Sequence, residues 1–173
     1  DDSVYISTTA DYGSGECNVY YYSIEGGSWF RWLKLAVNLV GIVLDEGDSE
    51  DIVHFLDEEG FFSQASDSSK LAPWQKIADA GVYSESAKNY GYLNTLRILD
   101  GDLYAVGRAG QIYRKRKTDT DWAHFDQGIL QRNIDHKTPT ENVIDLQDIA
   151  GNSEDLYCCG GYGKLFHFSK QKW

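Results

Sequence analysis

Asp102-Leu103-Tyr104-Ala105-Val106-Gly107-Arg108-Ala109-Gly110 reads a second time, further along the chain, as Asp155-Leu156-Tyr157-Cys158-Cys159-Gly160-Gly161-Tyr162-Gly163. Both stretches run D-L-Y, two small or apolar residues, Gly, two more residues and Gly. Each is followed by a second apolar run, Gln111-Ile112-Tyr113-Arg114 in one and Lys164-Leu165-Phe166-His167 in the other, and each then reaches a tryptophan, Trp122 or Trp173. A repeat at this scale decides the fold before any local reading does.

The same order recurs upstream. Asp51-Ile52-Val53-His54-Phe55-Leu56 leads through Gly60 to Phe61-Phe62 and then to Trp74. Ser3-Val4-Tyr5-Ile6 leads to Asn18-Val19-Tyr20-Tyr21-Tyr22 and then to Trp29. The tryptophans at 29, 74, 122 and 173 are spaced by 45, 48 and 51 residues. Three of them open a shared pattern of Trp, any residue, a basic-type residue and an apolar one: Trp29-Phe30-Arg31-Trp32, Trp74-Gln75-Lys76-Ile77 and Trp122-Ala123-His124-Phe125.

The runs are short, rich in β-branched and aromatic residues, and separated by Gly, Asp and Ser, which is strand-and-turn chemistry. The D-L-Y runs are apolar on both faces, as a strand sandwiched between neighbouring sheets requires. A preceding strand is visible at Leu93-Asn94-Thr95-Leu96-Arg97-Ile98-Leu99 and again at Val143-Ile144-Asp145-Leu146-Gln147. The expectation is therefore an all-β chain of four-stranded antiparallel units with a period of ~48 residues, the mark of a β-propeller. The repeats fall at about 1–36, 37–80, 92–130 and 142–173. The first lacks an evident innermost strand and the last stops where an outer strand is due, so the expectation is an incomplete ring, with blades missing from this chain. The absence of any Met and the opening on Asp1-Asp2 point the same way, to a fragment or processed piece.

On these residues the chain resembles the broad group of bacterial β-propellers with G-x-[IL]-[YF]…W blade repeats, loosely related to WD-repeat and kelch proteins. No Gly-His…Trp-Asp signature occurs, and the sialidase-type Ser-x-Asp-x-Gly-x-x-Trp box is absent before Trp29, Trp74 and Trp122. Small acidic propellers of this look are similar to immunity proteins of bacterial toxin–immunity pairs. That resemblance implies a partner-blocking role, with the active surface of a toxin, such as a nuclease, as the target.

Composition bounds the function. With 42% hydrophobic and 14% aromatic residues the chain can build a core. A net charge of −11 disfavours direct binding to nucleic acid or anionic lipid and favours a basic protein partner. The most apolar run, Leu33 to Leu44, is broken by Lys34, Asn38 and Gly41 and falls short of a membrane span. Three cysteines, Cys17, Cys158 and Cys159, do not make a disulfide framework, and a reducing cytoplasm is the expected compartment.

Chemistry is harder to find. His54, His124, His136 and His167 show no metal-ligand spacing, so no metal and no cofactor is expected. His124 reads as a solvated strand position. Cys158-Cys159 occupies the columns of Ala105-Val106 and reads as packing. The basic run Arg114 to Lys117 reads as a solvated hairpin. The acidic stretches are denser than turns require: Asp45, Glu46, Asp48, Glu50 and Asp51 precede one strand, and Asp57, Glu58 and Glu59 follow it. Since turns of stacked blades share a face, these are expected to form one negative surface for a partner. The Gly81–Gly91 connection adds Tyr83 and Tyr90 as contact candidates, because tyrosine gives large contact area at small entropic cost. The chain is thus read as a non-catalytic, protein-binding propeller. The alternatives are an enzyme or glycan-binding module with its site at the central mouth, and a scaffold subunit of a larger complex.

Overall fold

Alternation of side chains across each short run builds four antiparallel sheets in sequence. The computed structural model describes residues 3–9, 15–47, 50–66, 70–82, 85–134 and 137–173. The first sheet holds β1 (Ser3–Thr9), β2 (Cys17–Ser23) and β3 (Ser28–Leu35). The second holds β4 (Leu39–Asp45), β5 (Ile52–Asp57), β6 (Phe61–Ser66) and β7 (Gln75–Lys76). The third holds β8 (Leu93–Leu99), β9 (Asp102–Gly107), β10 (Ile112–Lys115) and β11 (Ala123–His124). The fourth holds β12 (Leu146–Asn152), β13 (Asp155–Gly160) and β14 (Leu165–Phe168). Every sheet runs in chain order, and among the described residues there is no α-helix, only two single 3-10 turns at Thr140–Asn142 and Gly161–Gly163.

The sheets are meanders because their turns are short. Asp100 and Gly101 join β8 to β9 with Leu99 opposite Asp102, and both take positive φ, 52° and 79°. That is the two-residue hairpin whose twist matches the strands it connects, and Asp-Gly is its sequence signature.

Sheets stack face to face, and three apolar layers fill the gaps. Val53, Phe55 and Ala65 of the second sheet meet Cys17, Val19 and Leu35 of the first. Leu56 and Phe62 meet Leu96, Leu103, Ala105 and Tyr113 of the third. Tyr104, Val106 and Ile112 meet Leu156, Cys158 and Phe168 of the fourth. At roughly 1.5–3 kcal/mol for each large apolar side chain removed from water, these layers dominate the stability. Both faces of β5 and β9 are buried. The inner strands β4, β8 and β12 neighbour one another in turn. β1 leans on β4 as β5 leans on β8 and β9 on β12, which makes β1 a second strand and leaves the first sheet without an innermost one among the described residues. The inner strands β4 and β8 come close at Gly41, where a Cβ would lie 2.4 Å from the Cβ of Leu96.

Tryptophans mark the outer edge of each joint. Trp29 is the second residue of β3, while Trp74 and Trp122 immediately precede β7 and β11. Trp74, Trp122 and Trp173 pack into the layers shared with the preceding sheet. A main-chain strap also repeats: the turn after each second strand returns to the entry of its own sheet. Glu58 N–H donates to Asn38 O (3.1 Å), Arg108 N–H to Tyr92 O (2.9 Å) and Gly161 N–H to Asp145 O (2.9 Å). The same turns bind the next sheet's entry, with Leu93 N–H on Glu58 O and Gly110 N–H on Ile144 O, each 2.9 Å. This is the architecture of an incomplete β-propeller.

Candidate functional site

A groove of about 800 Å³ lies between the outer parts of the third and fourth sheets. On one side stand Arg114 and Arg116 from β10 and its extension, Asp119, and Ala123 to Phe125 of the outer strand. On the other stand Ser153 and Glu154 of the β12–β13 turn, with Phe168, Lys170 and Gln171. The corresponding groove between the second and third sheets is smaller, about 360 Å³, and is lined by Gln75, Lys76, Ala78 and the Thr120–Trp122 approach to β11.

Packing fixes the floor of the large groove. Phe125 lies 4.7 Å from Phe168, centroid to centroid. Trp173 meets Phe125 edge-on, and its indole N–H donates to Phe125 O at 2.7 Å. Arg114 forms one wall. Its guanidinium reaches Asp102 Oδ2 from Nε at 2.8 Å and sits 5.6 Å and 5.3 Å from the rings of Tyr104 and Phe125. Asp102 also accepts from Lys117 N–H, so Arg114 is held in place and its charge matched. Arg116, Lys170, Asp119 and Glu154 form an exposed rim with two charges of each sign. An aromatic floor under a mixed polar rim suits an extended peptide, whose apolar side chains enter the groove while its main chain and flanks meet charge.

The acidic residues expected to share one surface are divided by β5. Asp45, Glu46, Glu50 and Asp51 surround the β4–β5 turn, while Asp57, Glu58 and Glu59 lie at the far end of β5, roughly 20 Å away for a six-residue strand. The second group is engaged inside the fold. Asp57 is 5% exposed and accepts Phe61 N–H at 2.7 Å; burial pushes its carboxyl up to about 6. Glu58 accepts from Asn38 at 2.8 Å, and Glu59 accepts Val82 N–H at 3.0 Å and, at its carbonyl, the Lys76 ammonium. Glu46 and Glu50 are exposed, and Asp45 faces His54 at 3.9 Å. Asp48 lies outside the described residues, as do Tyr83 and His136. Tyr90 is buried at 7% because its connection folds back on itself, with Gly81 bridging Gly91 and Gln111 donating to Gly91 O at 3.0 Å. It presents no surface to a partner.

Three described histidines each meet a carboxylate. His124 is half-buried rather than a free solvated position: it lies between two carboxylates, with Nδ1 2.9 Å from Asp126 and Nε2 3.5 Å from Asp79. The hydrogen bond it donates to the Asp126 carboxylate raises its midpoint. Buried Asp126 also accepts Ile112 N–H, so the cluster ties β11 to β10 and to the incoming connection. His54 is stacked on Phe62, and burial pushes its midpoint down. His167 pairs with Asp155 and stacks 4.4 Å above Tyr157. Burial pushes the Cys158 thiol up, away from reactivity. Cys159 departs from the packing expected of it: it is exposed, with no sheet over it among the described residues. Among the described residues no group of three or more His, Cys, Asp or Glu side chains is arranged to hold a metal. None of the helices there is long and apolar enough to cross a membrane.

No family model matches the chain, and no curated protein does. Among solved structures it is similar to "YCF48 bound to D1 peptide", with a TM-score of 0.54 and 18% identity over 93% of this chain and 49% of that one. The likeness is one of fold. The chain spans about half the length of this propeller-like relative in structure.

Proposed function

We propose that this chain is a non-catalytic protein-binding propeller that holds an extended segment of a partner protein in the groove between its third and fourth sheets. The observation that carries the proposal is the groove itself, with its Phe125–Phe168 floor and the charged rim of Arg116, Lys170, Asp119 and Glu154. A structure of the same fold, titled as bound to a peptide, supports the reading by analogy of architecture only. The odd number of cysteines keeps the cytoplasm as the proposed compartment. The test is to pan a displayed library of random peptides against the chain and then titrate an enriched peptide by fluorescence anisotropy. Binding to Arg116→Glu/Lys170→Glu should weaken roughly tenfold, about 1.4 kcal/mol. Unchanged affinity for that variant would remove the groove from the proposal.

A second reading rests on the exposed Glu46 and Glu50 beside Asp45 and Asp51. It makes the partner basic and the chain an immunity protein covering a toxin, with encounter steered by charge. Under that reading Glu46→Gln/Glu50→Gln slows association with a basic partner and flattens its salt dependence. A salt-independent association rate would exclude it.

A further inference from the structure

The joint between the second and third sheets holds a histidine where the next joint holds a tyrosine. His54 stands opposite Gln64 in the second sheet as Tyr104 stands opposite Arg114 in the third. Both are buried, at 6% and 0% exposure. The His54 ring lies over Phe62, with centroids 5.5 Å apart and 21° between the planes. Phe62 in turn meets Trp122 edge-on at 5.3 Å, and Trp122 lines the smaller groove. A row of three rings thus crosses the joint from β5 to the wall of that groove.

This row suits an uncharged imidazole and no other form. Neither His54 Nδ1 nor the Trp122 indole nitrogen has a hydrogen-bond partner among the described residues, and both atoms are buried. Nε2 faces Asp45 of β4 at 3.9 Å, an ion-pair separation too long for a hydrogen bond. The other charge acting on the ring is Lys115 of β10. Its ammonium is fixed within the third sheet by Asp119 O at 2.7 Å and Thr120 O at 2.5 Å. Gln64 and Phe62 of β6 and Trp122 before β11 are uncharged. A neutral ring leaves Nδ1 a bare acceptor among apolar groups. A protonated ring puts an unmet N–H and a full charge there, with a fixed cation across the joint. Burial outweighs the attraction of Asp45 and holds the His54 midpoint below its ordinary value. His124 and His167 differ, since each is partly exposed and hydrogen-bonded to a carboxylate.

We propose that His54 is a proton-operated release for the joint between the second and third sheets: on protonation its ring leaves Phe62 for water, the outer parts of the two sheets separate, and the smaller groove opens beside Trp122. The free ring titrates near 6.5 and the closed joint prefers it neutral. Closure is therefore at full strength above that pH and weakens as pH falls through it. Opening is local because β7 and β11, the outer strands at this joint, are two residues each, and stacked repeats part at their weakest contact. The next joint stays closed in acid, since burial pushes the Tyr104 hydroxyl up and keeps it neutral. Protonation of Asp57 or His124 favours the fold instead, so neither accounts for an acid opening.

Solvent exchange of the Trp122 and Trp173 indole N–H protons, followed by NMR and divided by the rate of free indole at each pH, tests this. Trp122→Phe assigns the first signal. Between pH 7.5 and pH 5.5 the protection of Trp122 should fall, while that of Trp173, which donates to Phe125 O, should hold. His54→Phe keeps a ring on Phe62 and should make Trp122 protection independent of pH, whereas Asp45→Asn should deepen its loss in acid. Constant Trp122 protection in the wild-type chain would overturn the proposal, as would an equal acid loss in His54→Phe. So would equal losses at Trp122 and Trp173, which mark unfolding of the whole chain. If His54→Phe does not fold, His54→Tyr, with the residue found at this position of the third sheet, takes its place.

Discussion

Asp57→Asn is the substitution whose effect the structure fixes most closely. Asp57 closes the β5–β6 turn by accepting Phe61 N–H at 2.7 Å, yet only 5% of the residue is exposed. Burial raises its midpoint from 3.8 to about 6, with hydrogen bonds and Lys76 working against the rise. A proton is thus held more tightly in the folded chain than in the unfolded one. Folding is favoured fully below 3.8, and that contribution is lost as pH rises through about 6. At 1.36 kcal/mol for each tenfold change, an ionised Asp57 costs the fold about 3 kcal/mol at pH 7.5. An asparagine keeps the acceptor oxygen and never ionises. Urea unfolding, followed in dilute solution because the isoelectric point near 4.6 lies within the range, should show the variant gaining on wild type between pH 4 and pH 7.5 by an amount approaching this figure. Groups not coupled to Asp57 cancel in the difference, and Lys76 and Glu59, which are coupled to it, make the figure an order of magnitude. A stability difference that stays flat across that range, or falls, would refute the argument.

Three further outcomes follow from the packing and charges. His124 has a raised midpoint from Asp126 and Asp79, so its stabilisation is complete below its unfolded value near 6.5 and is lost as pH rises through the higher folded one; thermal melts of His124→Gln should lose this dependence. Ile112→Ala, at a fully buried residue, should cost about 2–5 kcal/mol in denaturant unfolding, whereas Leu165→Ala, at a residue 67% exposed, should cost under about 1 kcal/mol in the same assay. Gly41→Ala places a methyl 2.4 Å from the Leu96 Cβ and should destabilise by about 1–3 kcal/mol through overpacking of the inner strands, read by the same unfolding assay.

Much of the fold was legible because the repeat is written in packing residues. D-L-Y-x-x-G recurs since a strand buried on both faces needs apolar residues on both, and the tryptophan spacing follows the outer edge of each joint. The division of the acidic residues was also within reach. Five residues of β5, 52–56, separate Asp51 from Asp57, and successive turns of a meander lie at opposite ends. Density of charge concealed this, and it also concealed the internal hydrogen bonds of Asp57, Glu58 and Glu59. Tyr90 was misplaced because loop composition says nothing of a connection that folds back to bury its own ring. No local signal marks the groove. It joins Arg116 and Ala123–Phe125 to Ser153–Glu154 and Phe168–Gln171, stretches that meet only when neighbouring repeats stack.

The groove between the third and fourth sheets is the binding surface we propose. Amide hydrogen exchange of the chain with and without a peptide enriched by panning tests it most directly, because it reads every segment at once. New protection is expected along β14, across residues 114–127 and over 168–171, with the 45–51 turn unchanged. Protection confined to that turn, or spread over segments remote from the groove, would contradict it.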